Sequence, residues 1–350
     1  MRFPNLILII LVLCATCISQ DIRLSTVPDP VYKIADVSKQ PTESWMFHLV
    51  VNDAKQRETI MPLEVRADLR SGSTIVKTIV FPEQTLTAMR WTSFRVTKET
   101  PPLSLRRIYA RDEIFDVRLE FPQIPIPLKV DNVHVSIKLE LPDKTETEAT
   151  IDVPVGAYQQ KTAFTFPLRG PAIVTQGMWN NGGHSGYSSQ YALDVNGLTA
   201  NYAAMLKDSE DLNAYATWGR EVLAPADGVI AYARNDVPDN GPGLAPESVF
   251  SKLDEPIQAS AGNAVIISHG NSEYSVMMHM QKGSVRVTKG QSVKRGDIIG
   301  LIGSSGDSFG PHLHFQVQTG PELFKHSSVP VAFENLKGKS LARGVYFSPK

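Results

Sequence analysis

Between residues 21 and 155 apolar and polar positions alternate. The period of two is kept through Leu63-Glu64-Val65-Arg66-Ala67-Asp68-Leu69, through Asp116-Val117-Arg118-Leu119-Glu120-Phe121, and through Val133-His134-Val135-Ser136-Ile137-Lys138-Leu139-Glu140-Leu141. Side chains two apart on an extended chain share a face, so this pattern predicts half-buried strands. Ser71-Gly72-Ser73, Pro101-Pro102 and the prolines from Pro122 to Pro127 break the runs where turns belong. Several short strands without a helical period predict an antiparallel, immunoglobulin-like β-sandwich over 21–155. No Cys-Trp-Cys frame fixes its topology, and the two histidines there, His48 and His134, are expected to be packed or solvated rather than catalytic.

A linker is expected at 156–164, after which the texture changes. Residues 165–335 remain β-rich, with Asn263-Ala264-Val265-Ile266-Ile267 and Gly300-Leu301-Ile302-Gly303 as buried-strand candidates. Six of the eight histidines fall beyond residue 180. Two stretches, 198–220 and 234–261, look like insertions. The first has helical propensity around Ala203-Ala204-Met205-Leu206. The second opens on a Pro/Gly/Asp-rich loop whose Asp236 and Asp239 are read as turn residues, since one pair of acids is too few to cage calcium. Residues 336–350 are read as a C-terminal tail.

Residues 1–20 are set apart from the fold. Arg2 precedes an apolar run from Leu6 to Leu13, followed by mostly small residues from Ala15 to Ser19. This is the grammar of a secretory signal peptide, and the run is too short to span a bilayer. Export, to the periplasm or beyond the cell, is therefore expected, with no membrane span once the signal is cleaved. Both cysteines, Cys14 and Cys17, lie in this segment, so a metal site in the remaining chain would be built from His, Asp and Glu. Lys and Arg number 35 against 36 Asp and Glu, which leaves no basic excess for a nucleic-acid partner.

The chemistry concentrates in Gly310-Pro311-His312-Leu313-His314-Phe315. On a strand His312 and His314 project from one face while Leu313 goes to the other. Gly182-Gly183-His184 opens a segment closed by Tyr191-Ala192-Leu193-Asp194, and His279 ends the strand-like Tyr274-Ser275-Val276-Met277-Met278. Glycines at 290, 296, 300, 303, 306 and 310 permit the tight turns that would return several strands to one place.

These segments resemble the M23 family of zinc metallopeptidases, the lysostaphin/LytM-type peptidoglycan endopeptidases. The likeness extends over roughly 165–320. It includes Val222-Leu223-Ala224-Pro225-Ala226-Asp227-Gly228-Val229, the run from Gly262 to Gly270, and Val293-Lys294-Arg295-Gly296-Asp297-Ile298-Ile299-Gly300. The resemblance implies an all-β chain in which a LytM-like antiparallel β-sheet metallopeptidase domain follows the sandwich. It further implies Zn2+ held by His184, Asp194 and His314, with His312 as catalytic acid/base and His279 as its partner. Three protein ligands would leave the fourth position open for the water of a hydrolytic site. The implied activity is endopeptidase cleavage through a water activated by zinc and histidine, with peptidoglycan peptides as substrate. Two alternatives stand beside it: a non-catalytic LytM-like scaffold that binds or activates another cell-wall hydrolase, and a zinc peptidase acting on secreted protein. His269 and His326 carry no metal role by this resemblance. A tyrosine that assists some members has no counterpart near Gly177-Met178-Trp179, where Tyr187 and Tyr191 are the available substitutes.

Overall fold

The computed structural model describes residues 21–36, 41–55, 57, 60–88, 113–178, 184, 186, 188–207, 209, 211–241, 244–337 and 341–349. The leader at 1–20 and Tyr187 lie outside the described residues. No described helix is long and apolar enough to cross a membrane.

The alternating half folds as β1 (Ile22–Val27), β2 (Val31–Asp36), β3 (Thr42–Asp53), β4 (Met61–Ser71), β5 (Thr74–Pro82), β6 (Glu113–Pro125), β7 (Asn132–Glu140) and β8 (Glu146–Ala157). Hydrogen bonding links them in the order β1-β3-β2-β8-β7-β4-β5, with β6 along the other edge of β3. Each alternating run lies within a strand. In β7, Val133, Val135, Ile137 and Leu139 are buried, whereas His134, Ser136 and Lys138 are not. Burying such a side chain contributes about 1.5–3 kcal/mol, which is what holds the register. Trp45, Phe47 and Phe121 stack at the centre of this core, with ring centroids 5.5 and 5.6 Å apart. One pairing departs from the antiparallel expectation, since β2 and β8 run parallel. Parallel neighbours need a long crossover, and all of β3 to β7 lies between these two.

The second half contains β9 (Ala172–Gln176), β10 (Leu193–Gly197), β11 (Glu221–Leu223), β12 (Gly228–Ala233), β13 (Asn263–Ser268), β14 (Tyr274–Met280), β15 (Ser292–Val293), β16 (Ile298–Leu301), β17 (Leu313–Gln318), β18 (Ser328–Val329) and β19 (Tyr346–Phe347). The main sheet runs β15-β12-β13-β14-β17-β10-β9-β19, with β18 beside β17, while β11 and β16 form a separate pair. Every pairing in it is antiparallel. Segment 336–350, expected to be a tail, supplies β19, which lies along β9 at the sheet edge.

The expected helix at 203–206 does not form. Leu206 N donates to Ala214 O and Ala216 N to Ala204 O, so the segment pairs across to 214–216 instead. Four residues of propensity cannot nucleate a helix, and cross-chain bonds satisfy the same groups.

The two halves share contacts. Met46 of β3 is buried in the second core, and Tyr32, Ile34 and Tyr158 pack against it. Within the expected linker, Tyr158 Oη donates to Oε1 of the buried Glu273 at 2.6 Å, Lys161 N to the same oxygen at 2.8 Å, and Thr162 N to Oε2 at 2.7 Å.

Candidate metal centre

Three adjacent strands build the centre. Asp194 on β10 stands directly across from His314 on β17, and Met278 on β14 faces His314 from the other side. Residues opposed in an antiparallel pair share a face, so Asp194 and His314 meet while Leu313, Phe315 and Val317 enter the core. All six residues of β17 are buried, the polar ones included. Below His314 on its own face, Gln316 and Gln318 continue as a hydrogen-bonded ladder. Gln316 Nε2 donates to Gln318 Oε1 at 2.9 Å and to Ser188 O at 3.2 Å. That leaves Gln316 Oε1 to accept from His314 Nε2 at 3.0 Å.

This ladder decides the tautomer of His314. With Nε2 donating, Nδ1 carries the lone pair, and it points at Asp194 Oδ1, 3.1 Å away. His184 Nε2 lies 3.0 Å from the same oxygen, yet it is buried without a partner in hydrogen-bonding geometry. His314 Nδ1, Asp194 Oδ1 and His184 Nε2 thus converge on one point, where a cation could engage all three. Among the described residues His184, Asp194 and His314 form the one His/Cys/Asp/Glu group with metal-ligand spacing, offering ligand atoms within 4.8 Å of one another. The donor set of two imidazoles and one carboxylate fits a divalent ion such as zinc. Burial alone would raise the Asp194 carboxyl, but His312, His184 and His314 outweigh it and hold the group well below the usual carboxylate range.

His312 and His279 stand beside this group, ring centroids 4.8 Å apart. His312 Nδ1 donates to Gly310 O at 2.9 Å, leaving Nε2 to face Asp194 Oδ1 at 3.8 Å. Asn196 Nδ2 donates to Pro311 O at 2.9 Å and fixes the backbone just before it. His279 Nδ1 donates to Ser305 O at 2.8 Å, so its Nε2 is also left with a lone pair. Burial, then His312 and His314, push His279 well below the ordinary imidazole value.

Strict alternation would send His279 to the core face with Met277. Instead it adopts φ 62°, the left-handed region, and both Met277 and Met280 point into the same core. The alternation slips by one residue, and the imidazole emerges beside His312. A non-glycine residue held there costs about 1–3 kcal/mol, so its surroundings must enforce it. His279 N donates to Ala261 O at 3.0 Å and Gly303 N donates to His279 O at 3.1 Å. Gly306, at φ 74°, packs so closely on Gly262 that a Cβ would collide with that backbone.

The other candidates fall elsewhere. His269 has both ring nitrogens engaged, Nδ1 with Asp227 O at 2.8 Å and Nε2 with Ser275 Oγ at 2.7 Å. His326 pairs with Glu322, His134 with Asp152, and His48 with Asp116. Asp236 is paired with Arg234, and Asp239 accepts from Ser304 N and Lys282 N, so both acids serve the loop. Tyr191 is fully buried with its hydroxyl on Tyr32 O at 2.7 Å, outside the cleft. The tyrosine that does line the cleft is Tyr215, from the first insertion, with Thr175, Asn196, Asp307, Phe309 and Arg343. Its place was hidden in the sequence because nothing there shows 214–216 pairing back along 204–206. The cleft has a volume of ≈ 720 Å³ and contains all five histidine and aspartate candidates.

Residues 208–326 match Peptidase family M23. The chain is 27% identical over 171 residues to cell division protein DipM of Caulobacter vibrioides, covering 49% of this chain and 20% of that one. It is 42% identical over 74 residues to the peptidoglycan DD-endopeptidase ShyA of Vibrio cholerae, covering 21% and 17%. Among solved structures, the catalytic domain of the prophage-encoded M23 protein EnpA from Enterococcus faecalis is 20% identical, with a TM-score of 0.29 over 48% of this chain and 94% of that one. The chain thus spans about a fifth of the length of the curated relatives it matches. The family match includes His279, His312 and His314 but begins after His184 and Asp194; strand register sets Asp194 opposite His314, and His184 Nε2 lies 3.0 Å from Asp194 Oδ1. The match to Peptidase family M23 lies within the second half of the chain.

Proposed function

We propose that the chain is an exported zinc endopeptidase that hydrolyses peptide bonds of bacterial peptidoglycan, with residues 1–20 as its export signal. The observation that carries this reading is the convergence of His184, Asp194 and His314 on one point beside the imidazoles of His279 and His312 in an open cleft. Relatives named as peptidoglycan DD-endopeptidases support the substrate class.

His184, Asp194 and His314 would hold the zinc ion, which when bound polarises a scissile carbonyl and makes water more acidic. His312 is the proton acceptor in this reading. Its Nδ1–H is tied to Gly310 O, its Nε2 lone pair faces the centre, and it retains solvent access. Once protonated it can return the proton to the leaving amine, the usual double duty of a general base. His279 stands beside His312, as the partner that the resemblance implied. A neutral ring whose Nδ1–H is spent on Ser305 O cannot donate to an oxyanion, and burial opposes its protonation. Its Nε2 is an acceptor that orients a hydrogen-bearing group beside His312.

The test is to load the purified chain with zinc and incubate it with peptidoglycan beside a His312→Ala control. New peptide ends identified by mass spectrometry, present only with His312, are expected. A zinc-loaded wild type that releases no peptide ends would overturn the reading and favour a scaffold or a protein substrate.

A further inference from the structure

Arg343 lines the same cleft as the five histidine and aspartate candidates, although it belongs to a segment the family match does not reach. Its position is built. Gly344 N donates to Val174 O at 2.8 Å, Val174 N to Val345 O at 3.1 Å, and Val345 N to Ala342 O at 3.1 Å. The turn carrying Arg343 is therefore clamped to β9, the strand whose Thr175 and Gln176 also line the cleft.

The side chain itself is exposed, and among the described residues no carboxylate is in ion-pair contact with it. Three arginines of this half meet an acid, Arg169 with Glu221, Arg234 with Asp236 and Arg295 with Glu334, whereas Arg220 donates to the carbonyls of Pro171 and Leu198. Among the described residues that line the cleft, Arg343 is the only Lys or Arg. Of the two lining carboxylates, Asp194 is taken up by three imidazoles. The other, Asp307, makes no ion pair with Arg343, and burial and Glu247 raise its carboxyl above the ordinary value. A planar guanidinium fork is thus presented to the cleft with no carboxylate in ion-pair contact among the described residues. A guanidinium is matched best by a carboxylate, which it binds through two parallel hydrogen bonds.

We propose that Arg343 is a specificity-determining residue that pairs with a carboxylate of the bound peptide, so that the cleft selects peptides acidic beside the scissile bond. This rests on the peptidase reading above. The carboxylate could be a chain-terminal group or an acidic side chain, and the experiment separates the two.

The probes are a synthetic cross-linked stem-peptide dimer with all carboxyl groups free, one with only the terminal carboxyl amidated, and one with only the side-chain carboxyls amidated. Each is assayed with the zinc-loaded full chain for KM and kcat, and by calorimetry for binding. Wild type is expected to lose affinity about tenfold to a hundredfold for one amidated form, mostly in KM, and that form identifies the source. Arg343→Met should bind all three forms equally weakly, Arg343→Lys should keep part of the preference, and Arg343→Glu should reverse it. Equal binding of the three forms by wild type, or an unchanged preference in Arg343→Met, overturns the assignment. If wild type binds with the expected preference but cuts nothing, the peptidase reading fails while the carboxylate site stands. If it cuts all forms alike, the reverse holds.

Discussion

The two sheets use the same pairing of histidine with carboxylate to opposite ends. In the first, His134 has Asp152 and His48 has Asp116, one acid to each ring. In the second, Asp194 faces His184, His314 and His312 within 3.0, 3.1 and 3.8 Å. One ring to an acid leaves no surplus of imidazoles, whereas three rings on one acid are electrostatically and geometrically over-supplied. The difference arises from placement. His134 sits on the outward face of a strictly alternating strand, while His314 is locked in a fully buried one by Gln316.

The comparison breaks most visibly at Asp194. Asp194→Ala should abolish stoichiometric zinc binding, measured by elemental analysis, because the carboxylate among the three ligands, with its negative charge, is lost. Next comes His312→Ala, expected to keep zinc but lower kcat by about 10²–10⁴ through loss of the proton acceptor. Full activity in that variant would remove His312 from the mechanism.

The pH dependence of the metal-free protein sharpens the contrast further. His279 is held below its ordinary value of 6.5, so as pH falls past that value the unfolded chain gains a proton that the folded one refuses. Stability should therefore fall on acidification, by at most about 1.4 kcal/mol per pH unit, and His279→Gln should flatten this slope. Asp194, held below 3.8, contributes stability that is present above 3.8 and lost as pH falls below it. The smallest effect belongs to the first sheet. His134→Gln removes a pair whose members are both solvent-accessible, and should change stability by less than about 1 kcal/mol without altering zinc content or turnover.

Much of this was legible in the sequence for a physical reason: alternation along β4, β6 and β7 reports which face is buried, and His312 and His314 two apart report one shared face. The parts that escaped depend on pairing between distant segments. Nothing local to His279 announces a left-handed backbone, because the pressure comes from Ala261, Gly303 and the Gly262–Gly306 contact. Tyr215 and Arg343 lie on segments that acquire their place only from hydrogen bonds to 204–206 and to β9. Tyr191, conspicuous beside the motif, turned inward because its hydroxyl finds Tyr32 O across the boundary between the halves.

That boundary also bears on how the molecule could move. Glu273 is buried, and Tyr158, Lys161 and Thr162 all donate to it, at the very point where composition suggests a flexible joint. Swivelling the first sheet away from the second would strand a carboxylate in a dry environment, stripped of three charge-assisted bonds. A protease probing the native chain should therefore find 158–162 a poor target, and the reach of the first half relative to the cleft is set by a clasp instead of a tether.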